Sequence, residues 1–256
     1  MKLFYFSGKS LLDDSADFVE FKNKFQVTAN GTSPNLFAAE QVLQNNFDVI
    51  ELGPGDFKLF KPYLKSLDVK TSRLGVADCL IRVGSSFRPL QILSEAVYAA
   101  ILNKKSDLKT SESAVVIGDF DFVLSMTYKL AQVGFFKIII ATEKPSESIQ
   151  IKKLIQTYAF NIQISTVALT ELTQLESSSI LLISNLHKKI NPEAYESIAY
   201  FNFLSRGAVF IDINSRNEPV LVEEARRAEI NVIEEIEILR IKYHSILEML
   251  KNSPFV

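Results

Sequence analysis

The chain has 256 residues, 47% of them hydrophobic and 23% charged, enough to bury one large or two modest cores. Its net charge of −2 excludes the broad basic surface that nucleic acid or an anionic membrane would need, and its single cysteine, Cys79, excludes an intramolecular disulfide. The N-terminus lacks a basic region followed by a long apolar run, and no apolar stretch approaches the length of a membrane span, so the expectation is a cytoplasmic protein with no nucleic-acid or membrane partner.

In chain order, residues 3–6 and 25–28 read as strands, with a polar stretch over 13–24 that suits a loop or a short helix. Asn30-Gly-Thr-Ser-Pro34 reads as a turn and helix start, with Ser33 as N-cap and Pro34 in the first helical position, and the helix runs to about Asn45. A strand over 47–52 ends at the sharp turn Gly53-Pro-Gly55. Residues 56–67 read as a helix bent near Pro62, 77–83 as a strand, and 90–102 as an amphipathic helix that bridges two halves of the chain. Beyond it, helices over 146–158, 191–204, 219–228 and 235–250 alternate with strands over 161–166, 180–184, 208–213 and 231–233. Such alternation predicts an α/β fold with a mainly parallel sheet covered on both faces. His187 and His244 are far apart and read as surface or structural residues, and no metal-ligand cluster is visible.

The organising stretch is 114–148. A β-branched run, Ala114-Val-Val-Ile117, ends at Gly118; residues 122–133 follow with helical spacing and stop at Gly134, and 136–141 is the next buried strand. This pattern looks like the first βαβ unit of a dinucleotide-binding domain, without its phosphate chemistry. A nucleotide turn needs small residues at three places, for the turn, for approach of the pyrophosphate and for helix–strand packing. Here Gly118 fills the first, Phe120 stands at the second and Val123 at the third. Asp119 and Asp121 add negative charge where a phosphate would sit, and Asp121 suits a helix cap or first-turn acid.

From about Asn30 to Leu250 the chain resembles the shikimate/quinate dehydrogenase family in order and spacing. The family's Ser-x-Ser-Pro turn is matched by Gly31-Thr-Ser-Pro34, its Pro-Tyr-Leu segment by Pro62-Tyr-Leu64, and its Ile-Gly-Ala-Val-Asn-Thr-Leu by Leu74-Gly-Val-Ala-Asp-Cys-Leu80. Its Gly-x-Asn-Thr-Asp-x-x-Gly segment is matched by Pro89-Leu-Gln-Ile-Leu-Ser-Glu-Ala96, and its late Thr-Pro-Leu-Leu by Glu218-Pro-Val-Leu221. The resemblance implies an N-terminal substrate-type α/β domain over 1–90. Over 91–256 it implies a Rossmann-like doubly wound domain whose C-terminal helices return to the first. The family's chemical residues are replaced. Its catalytic lysine region reads Leu52-Gly-Pro-Gly-Asp-Phe57, with Lys58 and Lys61 nearby but out of clear register. Its catalytic aspartate is matched by Leu93, which cannot exchange a proton, and the residues before it by Gln91 and Ile92. Its substrate asparagine aligns with Asp78, its late glutamine with Lys242, and its NADP-phosphate clamp with Thr142-Glu-Lys144.

These coordinated replacements predict a catalytically inactive member with a binding or regulatory role and no cofactor, NAD and NADP included. The partner is an unidentified protein or a small anionic ligand. Ser33, Lys58, Lys61, Asp78, Gln91 and Lys242 are the candidate contacts in a cleft between the domains. The alternatives are an enzyme that runs other small-anion chemistry in that cleft, or a dehydrogenase of altered specificity. Phe57, Phe120 and Phe122 are candidates to plug the cleft, in a chain with 19 Phe and no Trp. Residues 234–250 form a broad apolar helical face that suits docking on the chain's own domains or a partner.

Overall fold

The computed structural model describes residues 1–7, 18–29, 34–186, 191–213 and 220–251. The chain divides into two units, residues 1–93 with 240–256 and residues 94–239. In chain order the first unit holds β1 (Lys2–Tyr5), α1 (Val19–Lys22), β2 (Gln26–Ala29), α2 (Leu36–Gln44), β3 (Val49–Glu51), α3 (Phe57–Phe60), α4 (Val69–Leu74), β4 (Cys79–Val83) and β5 (Ser86–Leu90). Helix α5 (Ile92–Lys104) carries the chain into the second unit. There follow β6 (Ser113–Gly118), α6 (Phe120–Gln132), β7 (Lys137–Thr142), α7 (Pro145–Tyr158), β8 (Gln163–Thr166), β9 (Ser179–Asn185), α8 (Pro192–Ala199), β10 (Leu204–Asp212), α9 (Val220–Arg227) and β11 (Asn231–Glu234). Helix α10 (Glu235–Lys251) closes the chain, its residues from Arg240 onward belonging to the first unit.

The first unit is a mixed five-stranded sheet in the order β2-β1-β3-β4-β5. β1 runs parallel to β2 and β3, while β4 is antiparallel to both β3 and β5. Successive residues of β1 point to opposite faces. Phe4 and Phe6 enter a core with Ile50, Leu80, Phe57 and Phe60, to which α2 adds Ala39 and Val42. Leu3 and Tyr5 point the other way and are equally buried. On that face the Tyr243 ring of α10 lies among Phe18, Phe21 and Phe25, at centroid distances of 5.9, 5.8 and 6.5 Å.

The second unit is an all-parallel six-stranded sheet in the order β11-β10-β9-β6-β7-β8. Strand order reverses between β6 and β9, the doubly wound arrangement with its switch point there. Val115, Ile117, Leu182 and Phe210 face a core shared with Ala194 and Ile198 of α8 and with Leu221, Val222 and Ala225 of α9. The alternate residues Val116, Ile138, Ile140 and Ile183 are buried on the opposite face. Both faces of the central strands must be dry, which explains why β6 and β9 are apolar at consecutive positions, Ala114–Ile117 and Ile180–Ile183, rather than at every second one.

Several local expectations are corrected. Helix α2 starts two residues beyond Pro34, and its N-cap is Asn35, whose side chain accepts from Ala38 N at 2.9 Å. Ser33 lies outside the described residues, as do Gly31, His187 and Glu218. The predicted helix over 56–67 is α3 and a 3₁₀ turn at Lys61–Tyr63, because Pro62 cannot continue the α-helical ladder. Helix α4 and strand β5 are additions to the elements that the sequence predicts. Asp68 caps α4, accepting from Thr71 N at 3.0 Å, and β5 forms a hairpin with β4 that holds Arg88 and Pro89. Helix α5 is covered most of the way round rather than on one stripe: Ser94, Ala96, Val97, Ala100 and Ile101 are buried, and Ser94 and Glu95 bond to Ser125 and Lys129 of α6.

Gly118 ends β6 with φ +147°, and a Cβ placed there would stand 2.9 Å from the Asn185 carbonyl oxygen. Gly118→Ala is expected to cost about 1–3 kcal/mol in strain and overpacking, read as a lower urea midpoint at unchanged m-value.

Candidate functional site

The first unit gathers its buried charges at one end of its sheet. Tyr5 pairs with Glu51 across β1 and β3, and Glu51 with Cys79 across β3 and β4. The backbone continues the ladder one step further, Leu52 N donating to Asp78 O and Asp78 N to Leu90 O, each at 3.0 Å. Glu51, 3% exposed, and Lys242, 5% exposed, form an ion pair at 2.7 Å. Tyr243 OH donates to Glu51 Oε2 at 3.2 Å and is also hydrogen-bonded to Tyr5 OH. The partly buried Asp78 accepts from Ile92 N at 2.9 Å and Leu93 N at 2.8 Å, so its carboxylate holds the first turn of α5. Gln91 donates from Nε2 to Val76 O at 2.9 Å and is buried.

Desolvation sets the electrostatics of this cluster. Burial alone would lower the Lys242 pKa, but the Glu51 and Asp78 carboxylates outweigh it and the ammonium is held above its ordinary value. Burial raises Asp78, with Lys242 and the two backbone donors pulling the other way. Burial, reinforced by the Glu51 charge, pushes both the Cys79 thiol and the Tyr243 phenol well up. A lysine held protonated cannot act as a base, and a thiol held protonated is a poor nucleophile.

In the second unit, side chains at the switch point bond to the chain itself. Asp119 is the N-cap of α6: Oδ1 accepts from Phe122 N at 3.0 Å, and Oδ2 accepts from Asn185 Nδ2 at 2.7 Å. Asp121 is therefore the first-turn acid and not the cap. Phe120 occupies the first helical position, half-buried, while Phe122 and Val123 are buried in the unit's interior. At the end of the neighbouring strand β7, Thr142 Oγ1 donates to Lys144 O at 2.7 Å and shares a 2.9 Å hydrogen bond with Ser148 Oγ; Glu143 is exposed and Lys144 pairs with Glu147 at 3.2 Å.

Of the residues singled out in the sequence, Asp78 and Lys242 fall in one cluster with Gln91 adjoining. Lys58 and Lys61 are exposed, on α3 and the 3₁₀ turn. Phe57 is part of the first unit's core. Sequence reasoning missed Glu51, Tyr5, Tyr243 and Asn185. The available signal for Glu51 was an acid ending an otherwise apolar strand; nothing local marked the other three. Among the described residues there is no group of three or more His, Cys, Asp and Glu side chains able to hold a metal ion, and no helix long and apolar enough to cross a membrane.

Shikimate dehydrogenase from Mycobacterium tuberculosis superposes with a TM-score of 0.74 over 99% of this chain and 95% of its own, at 14% identity. The fold is that of the shikimate dehydrogenases. Quinate dehydrogenase from Corynebacterium glutamicum, in complex with NAD, superposes with a TM-score of 0.75 at 11% identity, over 97% of this chain and 92% of its own. The shikimate 5-dehydrogenase of Thermus thermophilus, in complex with NADP(H) and shikimate, gives 0.72 at 11%, over 98% and 93%. At such identities the likeness is one of fold. No protein-family model and no curated protein sequence matches the chain. The shikimate dehydrogenase-like fold is thus retained along nearly the whole chain, while the residues at its strand ends are tied to one another.

Removing one member of the buried pair strands the other. Lys242→Met is expected to cost about 3–5 kcal/mol in chemical unfolding, and the double variant Glu51→Leu/Lys242→Met to recover most of that loss. Lys242 and Tyr243 both hold their protons more tightly folded than unfolded. Their stabilisation is complete below the unfolded values near 10 and is lost as pH rises through the folded ones, so Tm is expected to fall from about pH 10 upward. The double variant should show a shallower fall.

Proposed function

We propose that this chain is a catalytically inactive protein of shikimate dehydrogenase-like fold that works by binding, and that it takes neither NAD nor NADP. The observation that carries this reading is Asp119. A helix N-terminus attracts a phosphate through its free N–H groups and partial positive charge. At α6 the chain's own carboxylate takes that place, fixed on its far side by Asn185. A pyrophosphate would have to displace it, pass Phe120 and approach a second acid, Asp121. At about 4 Å, like charges near a protein surface repel by about 4 kcal/mol, against a helix-terminus attraction of about 0.3–1 kcal/mol.

The first unit supports the same reading. A hydride-transfer site needs a group that exchanges a proton with the reacting hydroxyl. The position that resembles the family's aspartate is Leu93, and the nearby carboxylate, Asp78, accepts the backbone N–H of Leu93 and Ile92. Lys242 is neutralised by Glu51 and is not free to receive a small anion. This favours a protein over a small anion as the partner.

Calorimetry and thermal shift with millimolar NAD, NADP, shikimate and quinate test the proposal. The expected result is no heat of binding, no Tm shift and no turnover from about pH 6 to 10. A ligand present at 100 times its Kd would add about 2.7 kcal/mol of stability, well within detection. Saturable binding of NAD or NADP to the unmodified chain would overturn it.

A further inference from the structure

The end of the first sheet opposite to Glu51 and Lys242, where the parallel strands β1, β2 and β3 begin, holds an open recess of about 500 Å³. Its walls are tied to one another. Gln26 N donates to Met1 O at 2.7 Å, Asp48 N to Lys2 O at 2.8 Å, and Lys2 N to Asp48 Oδ2 at 2.6 Å. The recess therefore has its shape before any ligand arrives. Six polar side chains line it, those of Lys2, Asn23, Lys24, Gln26, Asn46 and Asp48. Two ammonium groups thus stand against one carboxylate, and one oxygen of that carboxylate is already taken by Lys2 N. Among the described residues neither ammonium has an ion-pair partner and none of the three side-chain amides has a hydrogen-bond partner. Glu248 of α10, which feels the charge of Lys24, is itself paired with Lys251 at 2.7 Å. On a convex surface such groups are satisfied by water; here they border one concave volume.

We propose that this recess binds a small sugar phosphate or polyol phosphate. A small anion, turned away at Lys242, has room here. A phosphate dianion matches two ammonium groups, whereas a single carboxylate would leave one of them without a counter-charge. The recess is several times larger than a phosphate alone, so an organic body accompanies it. Primary amides both donate and accept, which suits hydroxyl groups better than an apolar body. The second oxygen of Asp48 accepts a hydroxyl hydrogen and repels a further phosphate, which selects a monophosphate over a diphosphate. The site lies wholly within the first unit and does not depend on the reading of α6. Both lysines are exposed, so binding is weak and sensitive to salt, with a Kd between about 0.1 and about 10 mM at low ionic strength.

Titration of the whole 15N-labelled chain with glucose 6-phosphate up to about 50 mM, followed by NMR, tests this. Saturable shifts are expected at the backbone amides of Lys2, Lys24, Gln26 and Asp48, with Kd rising at least about threefold as salt goes from about 20 to about 200 mM. Glucose, which has the hydroxyls without the charge, and quinate, which has a single negative charge, should give no saturable shift. Lys2→Gln and Lys24→Gln should each raise the Kd at least about fivefold, while Lys65→Gln, an exposed lysine of the same unit outside the recess, should leave it unchanged. The spectrum of each variant reports whether it is folded, and either lysine carries the test if the other variant is not. Absence of saturable shifts at about 50 mM overturns the proposal, as does binding that survives the loss of Lys2 and of Lys24. Inorganic phosphate that binds as tightly as glucose 6-phosphate also overturns it, because the recess would then hold no place for the sugar.

Discussion

A lysine shielded from water must find its counter-charge inside the protein, and Lys242 finds Glu51. Moving an ammonium and a carboxylate out of water costs several kcal/mol each, and the pair persists because the two lie 2.7 Å apart and Glu51 also accepts from Tyr243. That requirement links the last helix to the middle strand of the first sheet across nearly the whole sequence. It also fixes the neighbours: Tyr243 is oriented by Tyr5 and caged by Phe18, Phe21 and Phe25, and Asp78 is left to hold the start of α5. The residues with acid, base or anion-binding chemistry in this cluster are therefore committed to one another.

The second unit follows the same logic with weaker forces. The end of β6 approaches Asn185 so closely that only a glycine fits at 118, and the carboxylate of Asp119 is shared between a helix amide and the Asn185 side chain. Gly118 thus has a packing reason of its own, the approach of Asn185. A first glycine in such a turn reports a sharp bend between strand and helix; only the second and third positions report room for a nucleotide.

The alternation of the second half is legible because buried parallel strands are apolar throughout and separated by helices with clear turn signals, as at Gly118 and Gly134. The acids of the α6 turn are legible too: the pattern suits Asp121 as a cap or a first-turn acid, and geometry makes it the first-turn acid and gives the cap to Asp119. The first half is harder to read. Its helices are short, and β5 contains Arg88 and Pro89, which disguise an edge strand as a loop. Tertiary pairing is the least visible: Lys242 and Glu51 are both ordinary surface residues by type, and nothing in a one-dimensional pattern shows that a residue near the end will neutralise one in the third strand. Charge and position along the chain make Lys58 and Lys61 look equivalent to Lys242, and burial alone separates them.

Cys79 gives the first unit a built-in reporter. It is fully buried between β3 and β5, beside Glu51, and its thiol is held protonated by its surroundings. A thiol-reactive dye in solution cannot reach it while the sheet is closed, so its labelling rate measures how often this part of the chain opens. Because the chain contains no other cysteine, that single rate reads local breathing of the strand that follows Asp78, next to the buried charges. Slow labelling would mark the ion pair as a clasp that keeps the sheet shut on the timescale of partner encounter; fast labelling would mark a unit that opens and recloses around it.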